Sequence, residues 1–391
     1  MSIASQPSPP TAPPVDALPP LCPEMAAAQL APRLAAHAIH SDYEGGFPSE
    51  ELNWLREAGL LAAPLHKSLN INYLYDNLLY FSLRTLKHIG RGNLAVGRVY
   101  EGHVNALQLV QRFGQPEQLA RWAADAEAGH LFGVWNTEAH DGVRLEPLAD
   151  GRYRMHGSKT FGSGAGHVTR PLITGALPDG GWQMVVLPAD QQSPVLDKSF
   201  WRPLGMRATA SFKVDFTGLE LNAEDLLGQP GDYYRQPWFS GGAIRFAAVQ
   251  LGGAEAVFDE TRLFLNQLHR TDDPYQRMRL GELALLVESG NQWLRSAAEH
   301  ASRPAAIAEP EATVAYANLT RTAIEDICLR VLQLAERCVG ARGLLRPLPF
   351  ERLHRDLTHY LRQPAPDAAI ADAGRFVLSE ANIPAHALWN D

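Results

Sequence analysis

Residues 100–105 place a histidine between an acid and an amide in a stretch of helical periodicity, an arrangement suited to acid–base chemistry. Imidazole titrates near neutral pH, and a neighbouring polar group can fix which ring nitrogen carries the proton. We therefore expect His103 to be a proton donor, with Glu101 or Asn105 holding its ring and Glu101 also close to the substrate. The alternative is a helix histidine that is hydrogen-bonded by a backbone carbonyl and has no role in chemistry.

Residues 351–364 contain a second histidine and an arginine near the end of another helical stretch. His359 is the second candidate proton donor, with a surface position as the alternative. Arg362 is a further candidate for the chemistry and Arg245 for substrate binding, since a guanidinium presents paired donors to an anionic group of a substrate or cofactor. Either arginine could instead pair with a nearby acid.

The composition argues against several classes of partner. The chain has 391 residues, 46% of them hydrophobic, which is enough for a large core and is typical of two or three domains. The net charge of -8 is spread along the chain without the basic stripe that nucleic acids require. No apolar run reaches the roughly 18 residues of a membrane-spanning helix. The first 21 residues contain no Lys or Arg, unlike a signal peptide. We expect a cytoplasmic protein with no nucleic-acid or membrane partner and no metal site.

The periodicity of hydrophobic residues changes twice along the chain. Residues 1–24 are rich in proline and predict a flexible tail. Residues 25–130 have helical periodicity, residues 131–238 alternate polar and apolar positions between turn signals, and residues 239–391 return to helical periodicity. The pattern predicts a helical domain, a largely antiparallel β domain and a second helical domain, in that order.

Six motifs in this order resemble the acyl-CoA dehydrogenase superfamily over roughly residues 25–380. They are His103 with Phe113–Gln118, Asn136–Glu138, Gly157–Gly164, Leu204–Phe216, Asn222–Gly228 and Glu351–Pro364. Each motif is weak alone, and their shared order is what makes the resemblance specific. It implies an α+β fold with an N-terminal helical domain, a middle antiparallel β-barrel domain and a C-terminal four-helix bundle.

The resemblance implies a flavin cofactor, FAD, with FMN as the smaller alternative. Thr137 and Ser163 stand where the family places two hydroxyl contacts to the flavin, and Phe161 stands where it places an aromatic shelf. An isoalloxazine ring needs such an apolar surface with a few polar groups around it. The alternative is that both hydroxyls only satisfy the ends of strands.

A second set of residues corresponds to the family's contacts with the far end of FAD. Arg270 occupies the position of an arginine that reaches the pyrophosphate in a neighbouring subunit. Arg337, Gly340 and Gly343 lie in a second cofactor segment, where Arg337 replaces the usual glutamine and a glycine turn is kept. Sharing of the cofactor between subunits implies a homodimer or homotetramer.

The family's catalytic carboxylate is missing from both of its usual positions. Nine residues after Arg355, where the family has a glutamate, the chain has Pro364, and the alternative position on a long helix is Ile244. Neither side chain can remove the α-proton of an acyl thioester. Asp367, three residues beyond Pro364, is the one nearby acid that a different loop could bring inward.

The end of the motif is similar to the flavin-dependent monooxygenase branch of the superfamily, as Thr358, His359, Leu361 and Pro364 show. In that chemistry reduced flavin reacts with O2 and an oxygen atom is transferred to a small molecule, so no α-proton base is needed. We therefore expect a flavin-dependent oxidoreductase that oxidises or oxygenates a small molecule and depends on a flavin reductase or another electron partner. The alternatives are an acyl-CoA or acyl-carrier-protein dehydrogenase with a relocated base, and a catalytically silent relative that binds an acyl thioester or a protein.

Overall fold

The computed structural model describes residues 22–65, 75–303 and 305–389. The predicted proline-rich tail, residues 1–24, lies almost entirely outside these residues. Its last two residues, Pro23 and Glu24, are part of the first helix. Proline is well tolerated there because the first turn of a helix leaves its amide groups unbonded in any case.

Five α-helices are present among the described residues of the N-terminal part. They are α1 (Pro23–His37), α2 (Ser49–Glu57), α3 (Tyr75–Gly92), α4 (Leu94–Phe113) and α5 (Pro116–Glu127). The sharp start of α4 comes from Asn93, whose side chain accepts a hydrogen bond of 2.9 Å from the Ala95 amide. Helix α4 is the inner helix of this group and packs against both the first strand and the C-terminal helices.

Ten short strands follow between residues 132 and 227. They are β1 (Phe132–Trp135), β2 (Arg144–Pro147), β3 (Tyr153–His156), β4 (Ser158–Gly162), β5 (Arg170–Ala176), β6 (Trp182–Val186), β7 (Val195–Asp197), β8 (Phe212–Asp215), β9 (Glu220–Leu221) and β10 (Leu226–Leu227). The alternation of polar and apolar residues correctly predicted strands in this region. In β8, for example, the residues are alternately buried and half-buried.

The strands form two open sheets rather than the predicted barrel. The larger sheet has the order β10-β6-β5-β2-β3-β9 with β1 beside β5, and the smaller has the order β4-β8-β7. Most pairs are antiparallel, as predicted, but β1 and β2 both run parallel to β5. A barrel requires every strand to pair with two neighbours, whereas β9 and β10 end the larger sheet within the described residues. The barrel prediction was therefore wrong.

The C-terminal part is again helical. It consists of α6 (Trp238–Gly241), α7 (Ala243–Gln267), α8 (Pro274–Ser302), α9 (Ala305–Ala308), α10 (Pro310–Gly343), α11 (Pro349–Tyr360) and α12 (Pro366–Ser379). Helices α3 and α7 cross closely, because Gly90 and Gly252 have no side chains and a Cβ at either would lie within 2.5 Å of a backbone oxygen of the other helix. The helical prediction for both ends of the chain is confirmed, while the domain boundaries remain a prediction. Across the described ranges, no helix combines the length and hydrophobicity needed to span a membrane.

Candidate active site

A cavity of about 250 Å³ lies between the ends of the central strands and the C-terminal end of α11. Five residues singled out from the sequence line it: Thr137 after β1, Phe161 and Ser163 at the end of β4, and His359 and Arg362 at the end of α11. These residues are separated by up to 225 positions in the sequence and meet only in the folded chain. The cavity is our candidate active site.

A chain of three hydroxyl groups forms part of the cavity wall. Thr209 donates its proton to the carbonyl oxygen of Met206 at 2.9 Å, and its oxygen lies 2.8 Å from the Ser211 hydroxyl. Ser211 in turn lies 2.9 Å from the Ser163 hydroxyl. Each hydroxyl has only one proton, so Ser211 must donate to Thr209 and Ser163 must donate to Ser211. The Ser163 oxygen is therefore left as a hydrogen-bond acceptor at the cavity.

Backbone strain is concentrated at the same place. Phe161, Met206 and Ala210 all have positive φ angles, of 54°, 58° and 42°. A residue other than glycine at a positive φ angle raises the free energy of the folded state by on the order of 1–2 kcal/mol. Residues strained in this way cluster at functional sites. At Phe161 the strain coincides with an irregularity in the pairing of β4 with β8, between Lys159 and Gly162. The irregularity turns the Phe161 side chain out of the sheet, where it is 48% exposed.

Aromatic rings continue from Phe161 to the end of α11. The Phe161 ring stands nearly perpendicular to those of Phe200 and Trp201, with centroids 5.1 and 6.2 Å away. Trp201 makes the same edge-to-face contact with His359 at 5.5 Å. Phe161, Trp201 and His359 from this series of edge-to-face contacts line one side of the cavity.

His359 and Arg362 differ in their exposure and in their hydrogen-bond partners. His359 is half-buried, and burial lowers the pKa of its imidazole, so the ring is neutral at pH 7. Arg362 is exposed and its guanidinium is 2.9 Å from the Glu325 carboxylate. Arg362 therefore pairs with an acid, which was the alternative interpretation of this residue. Its side chain also borders the cavity.

His103 does not lie at the cavity. It is fully buried, its Nε2 donates to the Leu61 carbonyl oxygen at 2.7 Å, and its Nδ1 accepts from the Phe132 amide at 3.1 Å. Burial lowers the pKa of the ring to about 4. The geometry therefore does not support the expected proton-donor role of His103. It supports the alternative, a histidine that is hydrogen-bonded to backbone groups. His103 holds α4 to β1 and to the segment after α2.

Glu101 and Asn105 also have partners other than the expected ones. Glu101, 3% exposed, accepts a hydrogen bond from Arg98 at 2.7 Å and another from the Asn105 amide. The Asn105 oxygen accepts in turn from Arg245. The two residues therefore connect Arg98 to Arg245 and do not hold His103.

Several residues of the site were not singled out in the sequence, Arg98 and Tyr360 among them. Both of these line the cavity. A signal for Arg98 was present, because it stands three residues before Glu101 in a helix and could be expected to pair with it. Tyr360 has no comparable local signal, since a tyrosine after a histidine at the end of an amphipathic helix is compatible with many environments.

The four residues expected at the far end of the cofactor lie away from the cavity. Arg270 and Arg337 are exposed. Arg270 follows α7, whose 25 residues span roughly 37 Å from the end near the cavity. Gly340 has a φ of 59° and interrupts α10, and the buried Gly343 ends it. None of the four is among the residues that line the cavity of its own chain.

No acidic residue is among the cavity-lining residues in the described part of the chain. Pro364 is at the cavity, in the place expected for the missing base. Ile244 is buried at 2% exposure in α7. Asp367 is exposed in the first turn of α12 and is not part of the lining. In the described part of the chain, the cavity therefore offers no carboxylate that could remove an α-proton.

Comparisons with known proteins agree with the resemblance found in the sequence. Residues 244–361 match the family model for the acyl-CoA dehydrogenase C-terminal domain. The chain is 24% identical to a dibenzothiophene monooxygenase of Mycolicibacterium goodii, covering 88% of this chain and 90% of the relative. It is 25% identical to a probable FMNH2-dependent monooxygenase, SfnC, of Pseudomonas putida, covering 90% of this chain and 94% of the relative.

A solved structure shares the fold over nearly the whole length. FMN-bound TdsC of Paenibacillus sp. A11-2 superimposes with a TM-score of 0.81 at 22% identity, covering 94% of this chain and 100% of that one. The same protein has also been solved with FMN and indole. The expectation of a flavin cofactor is confirmed at that level, but FAD in particular is not. The chain is therefore similar over residues 244–361 to the acyl-CoA dehydrogenase C-terminal domain, shares its overall fold with TdsC, and has Pro364 where the resemblance places the catalytic glutamate.

Proposed function

We propose that this protein is a flavin-dependent monooxygenase that uses reduced FMN and transfers one oxygen atom of O2 to a small organic molecule. The observation that carries the proposal is the composition of the cavity wall. Among the described residues it contains hydroxyl groups, aromatic rings, a histidine and arginines, but no carboxylate. Dehydrogenation of an acyl thioester requires a carboxylate base, whereas oxygen transfer requires only a dry pocket and a proton donor.

The cavity residues suit a flavin ring. The half-exposed ring of Phe161 offers an apolar surface for a planar ring, and Trp201, in edge-to-face contact with both Phe161 and His359, adds a second aromatic wall. The hydroxyl chain leaves the Ser163 oxygen as an acceptor, which suits the N–H groups of a reduced ring. A reduced flavin held by these residues would supply the chemistry that activates O2. The protein's own task is to exclude water and to exchange a proton with the bound ligand.

His359 is the group that we assign to proton transfer. It borders the cavity, it is half-buried, and the contact with Trp201 fixes the orientation of its ring. Its lowered pKa leaves the imidazole neutral at pH 7, so it can give a hydrogen bond from one nitrogen and accept a proton at the other. Arg362, paired with Glu325, borders the cavity next to His359 and does not transfer a proton, because a guanidinium stays protonated.

FMN fits the chain better than FAD. FAD would need contacts for its adenosine half, and the residues expected to provide them depart from the family's pattern at Arg337 and in the segment after Arg270. FMN lacks that half of the cofactor, and two of the proteins named above are described as FMN-bound and as probably FMNH2-dependent. A separate flavin reductase would supply the reduced form.

A homodimer or homotetramer is part of the same proposal. Helix α8 exposes three large apolar side chains, Tyr275, Met278 and Leu285, each more than 60% accessible in the single chain. Exposed apolar groups on one helix are typical of a protein interface. Sedimentation velocity of the full chain would test this part, and a monomer at micromolar concentration would contradict it.

The reaction is tested with FMN, an NADH-dependent flavin reductase and ¹⁸O2, with indole as the first probe substrate. We expect one ¹⁸O atom in the product and less hydrogen peroxide when indole is present than when it is absent. A parallel anaerobic titration of the flavin-loaded protein with acyl-CoA thioesters should leave the flavin spectrum unchanged. Bleaching of the flavin by an acyl-CoA would establish a dehydrogenase instead, and a purified protein that takes up no FMN or FAD would establish a silent relative.

A further inference from the structure

A second hydrogen-bond chain ends at the cavity, and it begins at a buried lysine. Lys159 is completely buried, and its amino group donates to the Thr174 hydroxyl at 3.1 Å. The Thr174 hydroxyl donates in turn to the side-chain oxygen of Asn136, which lines the cavity. A charged lysine can only donate and a hydroxyl has a single proton, so the direction of this lysine chain is fixed.

The lysine chain leaves Asn136 with a hydrogen-bond donor for the cavity. Because its side-chain oxygen is bonded to Thr174, its amide nitrogen points the other way, and no described residue accepts a hydrogen bond from that nitrogen. The reverse orientation of the amide would leave the proton of the fully buried Thr174 without an acceptor. Asn136 is half-buried and its nitrogen is not enclosed by the protein, so the nitrogen is accessible to a ligand.

The hydroxyl chain of Thr209, Ser211 and Ser163 has the opposite direction. It leaves the Ser163 oxygen as an acceptor at the same cavity. Two further bonds hold the ends of β1 and β4 side by side. Trp135 donates to the carbonyl oxygen of Ser163 at 2.9 Å, and the amide after Lys159 donates to the carbonyl oxygen of the residue after Asn136 at 2.8 Å. The two strand ends therefore present one donor and one acceptor to a ligand.

The edge of an isoalloxazine ring changes its hydrogen-bonding character when the ring is reduced. In the oxidised ring, the nitrogen N5 and the neighbouring carbonyl oxygen O4 both accept hydrogen bonds. In the reduced ring, N5 carries a proton and donates, while O4 still accepts. One donor and one acceptor on the protein are therefore complementary to the reduced edge. Against the oxidised edge, the Ser163 oxygen would face the lone pair of N5, and a hydrogen bond would be lost.

We propose that the cavity binds the reduced form of its flavin more tightly than the oxidised form, because the hydroxyl chain fixes Ser163 as an acceptor for a proton that only the reduced ring carries. Asn136 donates to the adjacent carbonyl oxygen, which both forms possess. Thr209 and Ser211 are positioning residues for Ser163. Thr174 has the same role for Asn136. The inference rests on the proposed function, since it concerns the same cofactor in the same cavity.

The binding test uses the full chain, titrated without oxygen with oxidised FMN and with dithionite-reduced FMN. We expect reduced FMN to bind about tenfold more tightly, the size of effect that one hydrogen bond produces. The midpoint potential of the bound flavin should then lie about 30 mV above that of free FMN, because a tenfold ratio in a two-electron couple corresponds to about 30 mV. Equal affinities for the two forms, or tighter binding of oxidised FMN, would overturn the proposal.

Thr209→Val tests the direction of the hydroxyl chain. It removes the acceptor of the Ser211 proton, so Ser211 can donate to Ser163 and the Ser163 proton becomes free to reach N5 of the oxidised ring. The preference for reduced FMN should fall about tenfold. Thr209→Ser keeps the hydroxyl and should keep the preference. Ser211→Ala, which breaks the chain beside Ser163, should act like Thr209→Val and replaces it if that variant does not fold. An unchanged preference in the folded hydroxyl-deleting variants would contradict the assignment.

Thr174→Val tests the lysine chain through a different readout. Asn136 bonds a carbonyl oxygen that both forms of the flavin possess, so both affinities should fall about threefold to tenfold while their ratio stays the same. The matched control is Thr261→Val, at a fully buried threonine of α7 that donates to a backbone carbonyl and does not line the cavity. It should change neither affinity. Unchanged affinities in Thr174→Val would remove Asn136 from the flavin site.

The outcomes separate this inference from the proposed function, because none of these measurements needs oxygen transfer. A protein that prefers reduced FMN but incorporates no ¹⁸O would contradict only the proposed reaction. A protein that incorporates ¹⁸O but binds both forms of FMN equally would contradict only the inference. Failure to bind either form would contradict both.

Discussion

Asp356 accepts a hydrogen bond of 2.7 Å from the backbone amide of Met206. The bond joins α11 to the strained loop between β7 and β8, and the two sides contribute His359 and Met206 to the same cavity. The neighbouring Arg355 strengthens the junction through ion pairs with Asp42 at 2.7 Å and Glu351 at 2.6 Å. This contact between distant parts of the chain sets the distance across the cavity.

The buried Asp356 carboxyl predicts a pH dependence of stability. Burial raises its pKa to about 6, against an ordinary value of 3.8, so the folded protein holds this proton more tightly than the unfolded chain. Stability from this group is therefore full below about pH 4 and is lost as the pH rises toward 6. Asp356→Asn, which keeps an oxygen acceptor for Met206, should gain up to roughly 3 kcal/mol on the wild type between pH 4 and 7. Urea unfolding at both pH values measures this, and a constant difference would contradict it.

His103 predicts the opposite dependence in an overlapping range. Its folded pKa of about 4 lies below the ordinary value of 6.5, because the buried ring is neutral. The unfolded chain binds the proton more readily, so this contribution is full above pH 6.5 and is lost as the pH falls toward 4. His103→Gln should therefore lower the free energy of unfolding at pH 7 by about 1–3 kcal/mol. The free energy of unfolding of this variant should also fall less than that of the wild type as the pH is lowered from 6.5 toward 4. The matched control is His156→Gln at an exposed position.

The same variant separates a structural role from a chemical one. Because His103 is bonded only to backbone groups and lies outside the cavity lining, the folded fraction of His103→Gln should turn over at the wild-type rate. Product formation per folded molecule, with the folded fraction taken from circular dichroism, tests this expectation. A large fall in turnover at full folding would return His103 to the reaction.

His359→Gln should slow oxygen transfer about a hundredfold and leave FMN bound, because glutamine cannot exchange a proton as imidazole does. The change should also abolish the fall in turnover that protonation of His359 causes at acidic pH. In the wild type this fall should occur below the ordinary imidazole pKa, because burial lowers the pKa of His359. His354→Gln is the control on the same helix, where the histidine pairs with Glu336. Equal effects of the two substitutions would show that His359 acts only through the stability of α11.

Phe161→Gly separates backbone strain from ligand binding. Glycine adopts a φ of 54° without penalty, so the free energy of unfolding should change by less than about 1 kcal/mol despite the lost ring contacts. Affinity for FMN should fall by up to roughly tenfold, because the aromatic surface is removed. His269→Gly relieves a φ of 53° at an exposed position after α7 and should leave FMN binding unchanged. Fluorescence titration with FMN measures both, and unchanged affinity in Phe161→Gly would remove that ring from the cofactor site.

The sequence by itself determined the order of helical and β regions and part of the cavity wall. Periodicity and turn residues act locally, so they predicted the change to strands near residue 131 and the return to helices near residue 239. The family motifs located Thr137, Phe161, Ser163 and His359, and all four line one cavity. The absence of a carboxylate at position 364 follows directly from the sequence, because proline has no ionisable side chain.

Only the tertiary structure decided which side chains of α4 face the cavity. Each residue turns a helix by about 100°, so Arg98, Glu101 and Asn105 share one face while His103 points to nearly the opposite side. That face meets Arg245 and the cavity, and the other side meets backbone groups of Leu61 and Phe132, where His103 is held. The choice between open sheets and a barrel, and the lack of a partner for the Tyr360 hydroxyl, also depend on contacts between distant segments. Local sequence patterns carry no record of such contacts.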